Sequence, residues 1–346
     1  MMIRPHKVGS VVARLDLPEE FEISNRIEAC SGAALVVRAL EEKRVYDVME
    51  LTTGRMAHVG KGDVLVGALG QRDALRGFVG RVPSSVSVGD TLHLLNLGGV
   101  LGEVISHNKD VGQPLRVEVL GAVLRNGQPA NIADVALGDP PEGARIPPVI
   151  LVSGTCMNSG KTLAACEIIS RLTARGLAVG GAKLTGVSAL RDLLNMGDHG
   201  AAAALSFTDF GLPSTAGVTD VAPVALSTLS WLETQAGRPL DVIVAEAGDG
   251  IIGCYGVESI LQDKSFMSHV TAHVLCANDL VAAWGGVAWL AERGLAADVI
   301  AGPATDNEVG VRIIRDTMDV PAANARTEPE AFVNLVQAAA FGELVS

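Results

Sequence analysis

Over the first 137 residues the chain alternates short apolar, β-branched runs with glycine: VVARLDL, ALVVRAL, RVYDVMEL, DVLVGAL, TLHLLNL, VLGEVISH and RVEVLGAVL. Runs of this length between turn residues predict the strands of an antiparallel barrel or sandwich. KGDVLVGAL at 61–69 and VGDTLHLLNL at 88–97 each set Gly-Asp in a turn just ahead of a strand, a hint of duplication. In GDPPEGARIPP, 138–148, neither helix nor strand can persist, so it reads as a linker. Beyond it the period changes. PPVILVSG predicts a buried strand, KTLAACEIISRLTARG a helix ending on Gly176, and LAVGGAKLTG a second strand. RDLLNMGDHGAAAALSF reads as helical with an interruption. PLDVIVAEAGDG and HVTAHVLCAND read as strands, LVAAWGGVAWLAERG as a helix, ADVIAGPATDN as a strand, and NEVGVRIIRDTMD as a last helix. Alternating strands and helices imply a parallel sheet with right-handed crossovers, whose ligands bind off the carboxyl ends of the strands.

The expected architecture is therefore an α/β chain in two parts. A β-rich domain spans 1–137 and a linker 138–148. A parallel-sheet phosphate-loop domain follows at 149–346. Composition agrees: 346 residues suffice for two cores, 48 % are apolar and only 3 % aromatic, which suits close helix-on-sheet packing. A net charge of -12 argues against nucleic acid as a main partner. No window is apolar enough for a membrane helix, and the N-terminus has no secretory pattern, so a cytoplasmic location is expected. Five scattered cysteines, without CxxC spacing, give neither a disulfide framework nor a zinc site. Cys156, inside the glycine loop, reads as a small residue in a tight turn.

The chemistry concentrates where the first strand of the second part ends. Gly154-Thr155-Cys156-Met157-Asn158-Ser159-Gly160-Lys161-Thr162 lies between a buried strand and a helix. Backbone amides and the helix N-terminus would hold an anion, Lys161 would reach the β/γ-phosphates, and Thr162 would ligate Mg²⁺. The glycine stands one place earlier than in GxxxxGK[ST].

That displaced loop, GTxxxxGKT, resembles dethiobiotin synthetase and its relatives, including the cobyrinic acid amidating synthetases, in the deviant P-loop class of NTPases. The resemblance extends over 148–325. AKLTG matches a lysine segment after the second strand (Lys183, Thr185, Gly186), and GDHGAAAAL matches an acidic segment (Asp198). VAEAGDG matches an acidic strand end (Glu246, Gly248, Gly250), and GPATDN matches an adenine-recognising strand end (Thr305, Asp306, Asn307). The family's proline after the lysine is Leu184 here, its glycine pair is interrupted by Asp249, and no diaminopelargonate segment is identifiable, so dethiobiotin synthesis itself is not implied. The first 140 residues lie outside the resemblance.

The resemblance implies an ATP- and Mg²⁺-dependent enzyme, with a homodimer as its form. Gly154, Thr155, Asn158, Ser159 and Gly160 would cradle the phosphates. Lys161 and Lys183 would neutralise charge in phosphoryl transfer, and Thr162, Asp198 and Glu246 would complete the metal shell. Thr185, Gly248, Asp249 and Gly250 would face the substrate. A small carboxylic acid is the expected substrate, and carboxylates around the site would suit one bearing an amine. His199 reads as solvent-facing, and His269 and His273 as structural rather than as a metal pair. Three rivals stand beside the synthetase or kinase reading, one of them an effector-gated regulatory ATPase in which the β-domain binds a partner or effector and the phosphate-loop domain gates it. A nucleotide switch of the MinD/ParA or metallochaperone kind lacks its early-loop lysine, its NKxD segment and any His/Cys cluster. An amino-acid acyltransferase would need a Rossmann-like first domain. The helix around Trp284 and Trp289 reads equally as core or as interface.

Overall fold

The computed structural model describes residues 1–342. The chain forms two compact units. The first comprises Met1–Gly138 with Val187–Arg191 and Phe207–Gly217, and the second comprises Asp139–Gly186, Asp192–Ser206 and Val218 onward. Two short segments beyond residue 149 thus pack with the β-rich part, a division that linear composition does not show.

In the first unit, Ala34–Ala39, Val64–Leu69, Val100–His107, Thr91–Leu94 and Leu115–Arg125 pair in a closed circuit, so a barrel forms rather than a sandwich. Alternation along each strand explains the packing. Leu35, Val37, Leu65, Leu69, Leu92, Leu101, Val117 and Val119 fill the interior. The intervening Ala34, Val36, Val66 and Ala68 are covered by Val11, Val12 and Leu15. Because both faces are buried, ALVVRA reads as a continuous apolar run. VVARLDL, expected as a strand, is instead the 3-10 helix Ser10–Leu15, since three of its apolar residues point to one side onto the barrel wall. The two Gly-Asp turns are built alike. Gly62 and Gly89 take positive φ, Asp63 and Asp90 accept from Gly60 and Ser87 amides at 2.7 Å, and each glycine amide bonds the strand alongside.

The second unit is a six-stranded, wholly parallel sheet. Its elements are β1 (Val149–Gly154), α1 (Lys161–Ala174), β2 (Val179–Thr185), α2 (Leu190–Asp198), β3 (Ala203–Ser206) and α3 (Ala222–Ala236). There follow β4 (Val242–Ala247), α4 (Val257–Gln262), α5 (Lys264–Met267), β5 (Val270–Cys276), α6 (Leu280–Ala291), β6 (Val299–Ala301), α7 (Glu308–Met318) and α8 (Pro329–Phe341). The strand order is β3-β2-β4-β1-β5-β6. Ile168, Ile169 and Leu172 of α1 and Phe332, Val333 and Val336 of α8 pack on the central strands. β2 carries Gly180 and Gly181, where any Cβ would press on Leu240 and on Met196 respectively, so two layers close on the sheet at small residues. The alanine run expected as helix is the edge strand β3, because Gly200, at positive φ, ends α2 and Ala203–Ser206 pair with β2. Helices α3 and α8 were not anticipated. Among the described residues no helix is long and apolar enough to cross a membrane.

Candidate functional site

Three strand ends build the site. β1 breaks at Gly154, where a Cβ would collide with the Ser159 hydroxyl. The loop therefore folds Ser159, fully buried, back over its own start. This contact gives a physical reason for glycine at 154 rather than 155. Two residues of the loop hold left-handed backbone, Asn158 at φ 62° and Gly160 at φ 92°, and α1 begins immediately afterwards. For asparagine this conformation is tolerable, and for most other residues it is costly. Gly302 also has positive φ, and a Cβ there would collide with the Ser159 carbonyl, so the end of β6 packs closely beside the loop.

Register places the charges. In the parallel sheet Glu246 of β4 stands level with Val152 of β1 and Lys183 of β2. Its Oε1 accepts from the Lys183 ammonium at 2.6 Å and from the Thr162 hydroxyl at 3.1 Å. Glu246 is 1 % exposed, and its Oε2 is buried with no hydrogen-bond partner. A buried carboxylate oxygen left this way is strongly unfavourable and marks a place for a cation or donor. Lys183 also pairs with Asp192 of α2 at 3.2 Å. Burial alone would lower its pKa, but Glu246 and Asp192 together hold it above the usual lysine range, so it is charged at any physiological pH. Lys161 is different. Burial lowers its pKa, only partly offset by Glu246, and its ammonium donates to the Cys156 carbonyl at 2.8 Å.

Asp198 is not brought to this site. It lies exposed at the carboxyl end of α2, where the chain turns back toward the start of β3. Six residues, about 9 Å of helix rise, separate it from Asp192. The acidic side chain that reaches the lysine is Asp192, in the first turn of α2. Sequence reasoning missed it because the resemblance centred on GDHG; a helix start directly after the AKLTG strand was the available signal.

The residues expected around a substrate are largely engaged by the protein. The Thr185 hydroxyl, fully buried, donates to the Gly248 carbonyl at 2.8 Å. A Cβ at Gly248 would meet the Thr185 carbonyl, and one at Gly250 would lie 2.7 Å from that of Thr155. These glycines permit loop-on-loop packing, a role that accounts for them without a substrate. Asp249 between them holds φ 69° and lies close enough to act electrostatically on Lys161.

Beside the loop opens a cleft of about 120 Å³, lined by Asn158, Gly160, Leu163, Gly302, Pro303, Asp306, Asn324, Ala325 and Arg326. Of the three residues expected to read a base, only Asp306 lines it. Thr305 is buried and donates to the Gly302 carbonyl, and Asn307 caps α7 by accepting from Val309 and Gly310 amides. Asn324, unanticipated, ties the wall together by donating to Asp306 at 2.8 Å and accepting from Arg326 and Thr327 amides.

No family model matches this chain, and no curated protein does. Solved structures share part of the architecture. The signal recognition particle receptor FtsY from Elizabethkingia anophelis is 16 % identical, over 59 % of this chain and 70 % of that one, with a TM-score of 0.39. The signal recognition particle 54 kDa protein from Aeropyrum pernix K1, in complex with GDP, is 19 % identical over 59 % of this chain and 47 % of that one, with a TM-score of 0.35. A nucleotide-binding protein from Archaeoglobus fulgidus, in complex with ADP, is 10 % identical over 55 % and 87 %, also at 0.35. At these scores the likeness carries no argument about activity.

The donor set is compatible with Mg²⁺. Among the described residues no three His, Cys, Asp or Glu side chains form a metal cluster. Mg²⁺ needs less from a protein, since it keeps several waters and binds through one or two side-chain oxygens plus substrate phosphates. Thr162 Oγ1 and the unpartnered Glu246 Oε2 supply such oxygens. His273 is buried in β5, its Nδ1–H donating to the Ala296 carbonyl at 3.0 Å and its Nε2 accepting from Ser153 at 2.7 Å, and burial lowers its pKa. On α6, Trp284 and Val281 are exposed, while Trp289 stacks under Arg293 at 3.7 Å.

Proposed function

We propose that the second unit binds a nucleoside triphosphate with Mg²⁺ and uses it to activate a small carboxylic acid. The observation that carries this reading is the shared Glu246 carboxylate. It joins the loop hydroxyl, Thr162, to the second lysine, Lys183, and keeps one buried oxygen unpartnered. A phosphate-loop lysine alone suits binding. A second, charged lysine close enough to act electrostatically on it suits the neutralisation of charge on a transferring phosphoryl group.

In the proposed reaction an acceptor carboxylate oxygen attacks the γ-phosphorus, the bond to the β-bridging oxygen breaks, and an acyl phosphate and nucleoside diphosphate result. A nucleophile then displaces phosphate from the acyl carbon. Loop amides from 155 to 161 and Lys161 bind the phosphates, and Lys183 stabilises the transferring group. Thr162 and Glu246 would hold Mg²⁺, which would polarise the phosphates when bound. ATP is the nucleotide proposed, from the order of motifs shared with dethiobiotin synthetase, and its base would lie in the cleft at Asp306. With Asp198 displaced, the case for an amine-bearing acceptor rests on Asp249.

A second reading is a nucleotide-dependent switch, which the same phosphate loop supports without needing an acceptor. One experiment separates the two. Calorimetric titration with ATP and with GTP, each with Mg²⁺, is followed by phosphate release with a panel of carboxylic and amino acids. Release stimulated by one acid supports the synthetase or kinase. Binding without stimulated release supports the switch, and no binding of either nucleotide removes both.

A further inference from the structure

We propose that the first unit binds a small carboxylic acid at Arg72, a buried guanidinium whose Nε–Nη2 edge receives the carboxylate beneath a loop, residues 41–47, that opens to admit it. This site is separate from the nucleotide site and does not depend on it.

Arg72 is a charge without a counter-charge. It lies on the short strand Arg72–Asp73, paired with Phe78–Arg81, and is 6 % exposed. Arginine keeps its proton in proteins, so this side chain carries its charge into the interior. Among the described residues its Nη1 donates to the Leu95 carbonyl and its Nη2, at 3.5 Å, to the Tyr46 hydroxyl, and no carboxylate pairs with it. Its Nε is buried without a partner. The adjacent acid does not neutralise it. Successive residues of a strand face opposite ways, and Asp73 is held by Arg81 at 2.6 Å and by Gln71 at 3.0 Å.

Aromatic rings offset part of the penalty. The rings of Tyr46 and Phe78 each stand 5.5 Å from the guanidinium carbon. A ring face stabilises the cation but leaves unpaired N–H groups in the plane unsatisfied. The Nε and Nη2 hydrogens of an arginine point the same way and form a fork that matches the two oxygens of a carboxylate. Here Nε has no acceptor and Nη2 has only a long bond to a hydroxyl. Gly77 keeps the space beside that edge clear, since a Cβ there would stand 2.9 Å from Nη2. A buried cation, an unpaired donor on its forked edge and a glycine next to it together describe an anion site. The flat fork between two rings favours a carboxylate on an apolar body over a tetrahedral anion.

The cover is weakly held. Tyr46 takes φ 56°, a left-handed backbone that is costly for a bulky residue. Arg44 and Val45 before it are exposed. The side chains that fasten the loop lie at the surface: Glu41 pairs with Arg116 at 2.9 Å, Lys43 donates to the Gln113 carbonyl, and His58 lies 3.0 Å from Glu42 and 3.3 Å from Asp47. Exposed ion pairs contribute little. Swinging Tyr46 away from the guanidinium therefore costs little and releases its backbone strain.

Tyr46 and Tyr255 are the chain's two tyrosines, one in each unit. Full-length protein carrying fluorotyrosine therefore gives two fluorine NMR signals, and nitrogen-labelled arginine adds the Arg72 Nε–H, assigned by its loss in Arg72→Lys. Sodium benzoate is titrated at constant ionic strength against sodium chloride, with sodium phosphate as a further arm. The expected result is a saturable shift of the Tyr46 signal and of the Arg72 Nε–H with benzoate, while Tyr255 stays still. Arg72→Lys, which loses the fork, and Gly77→Ala, which fills the space beside Nη2, should each weaken benzoate binding at least about tenfold. Gly77→Ala keeps the arginine and serves if Arg72→Lys does not fold. Benzoate shifts no larger than those from chloride overturn the proposal, as does undiminished binding in a folded variant. Saturation by phosphate and not by benzoate overturns the assignment to a carboxylate.

Discussion

Removing either member of the Lys183–Glu246 pair should destabilise the second unit far more than removing both. The pair sits with Glu246 at 1 % and the Lys183 side chain at 12 % exposure, 2.6 Å apart. Leaving one partner of a buried pair uncompensated costs about 3–5 kcal/mol. Glu246→Gln leaves Lys183 with Asp192, so the lower end, about 3 kcal/mol, applies. Lys183→Met leaves two carboxylates facing each other without a cation, so the upper end, about 5 kcal/mol, applies. Independent effects would give about 8 kcal/mol in the double variant; the coupled pair should give about 3 kcal/mol or less. Urea unfolding in the presence of a chelator measures this directly. The three tryptophans, Trp231, Trp284 and Trp289, all lie in the second unit, so their fluorescence reports that unit alone. Additivity to within about 0.5 kcal/mol would refute the reasoning, because it would mean the two charges do not depend on each other.

Lys161→Ala should abolish measurable nucleotide binding in calorimetry, whereas Lys183→Ala should keep affinity within about threefold and lose turnover by about a hundredfold, or about 2.7 kcal/mol, as for other lost transition-state contacts. Asp198→Ala should leave turnover unchanged, while Asp192→Asn lowers kcat; the reverse pattern in steady-state assays would restore Asp198 to the site. Gly302→Ala combines a left-handed backbone with a Cβ driven into the Ser159 carbonyl. It should destabilise by about 2 kcal/mol and weaken nucleotide binding at least about tenfold, as read by melting and titration. His273 has a depressed pKa, so on acidification the unfolded chain takes up its proton first. Its contribution is intact above about pH 6.5 and is lost below it, at up to about 1.4 kcal/mol per pH unit. His273→Gln should flatten that part of the tryptophan-monitored stability profile, and an unchanged slope would show that His273 is not its source.

Local sequence determined the parts of this protein whose cause is local. The strand–loop–helix at 148–162 was legible because a buried strand, a glycine turn and a helix start are each fixed by a few neighbouring residues. The same holds for Lys183 and Glu246, whose apolar strands leave one charged residue near the carboxyl end, and for the Gly-Asp turns of the barrel. What tertiary structure decided was which of several similar residues meet. Asp192 and Asp198 are both acids on one short helix, and only the packing of α2, pinned by Met196, puts the first at Lys183 and the second at the opposite end. Thr305 and Asn307 looked available to a ligand, but the unpaired backbone groups of their own turn and helix claim them. The alanine run became strand β3 because an unfilled sheet edge on β2 outweighed a propensity differing by only tenths of a kcal/mol per residue. The barrel likewise closed through pairings between strands far apart in the chain, contacts that no local pattern encodes.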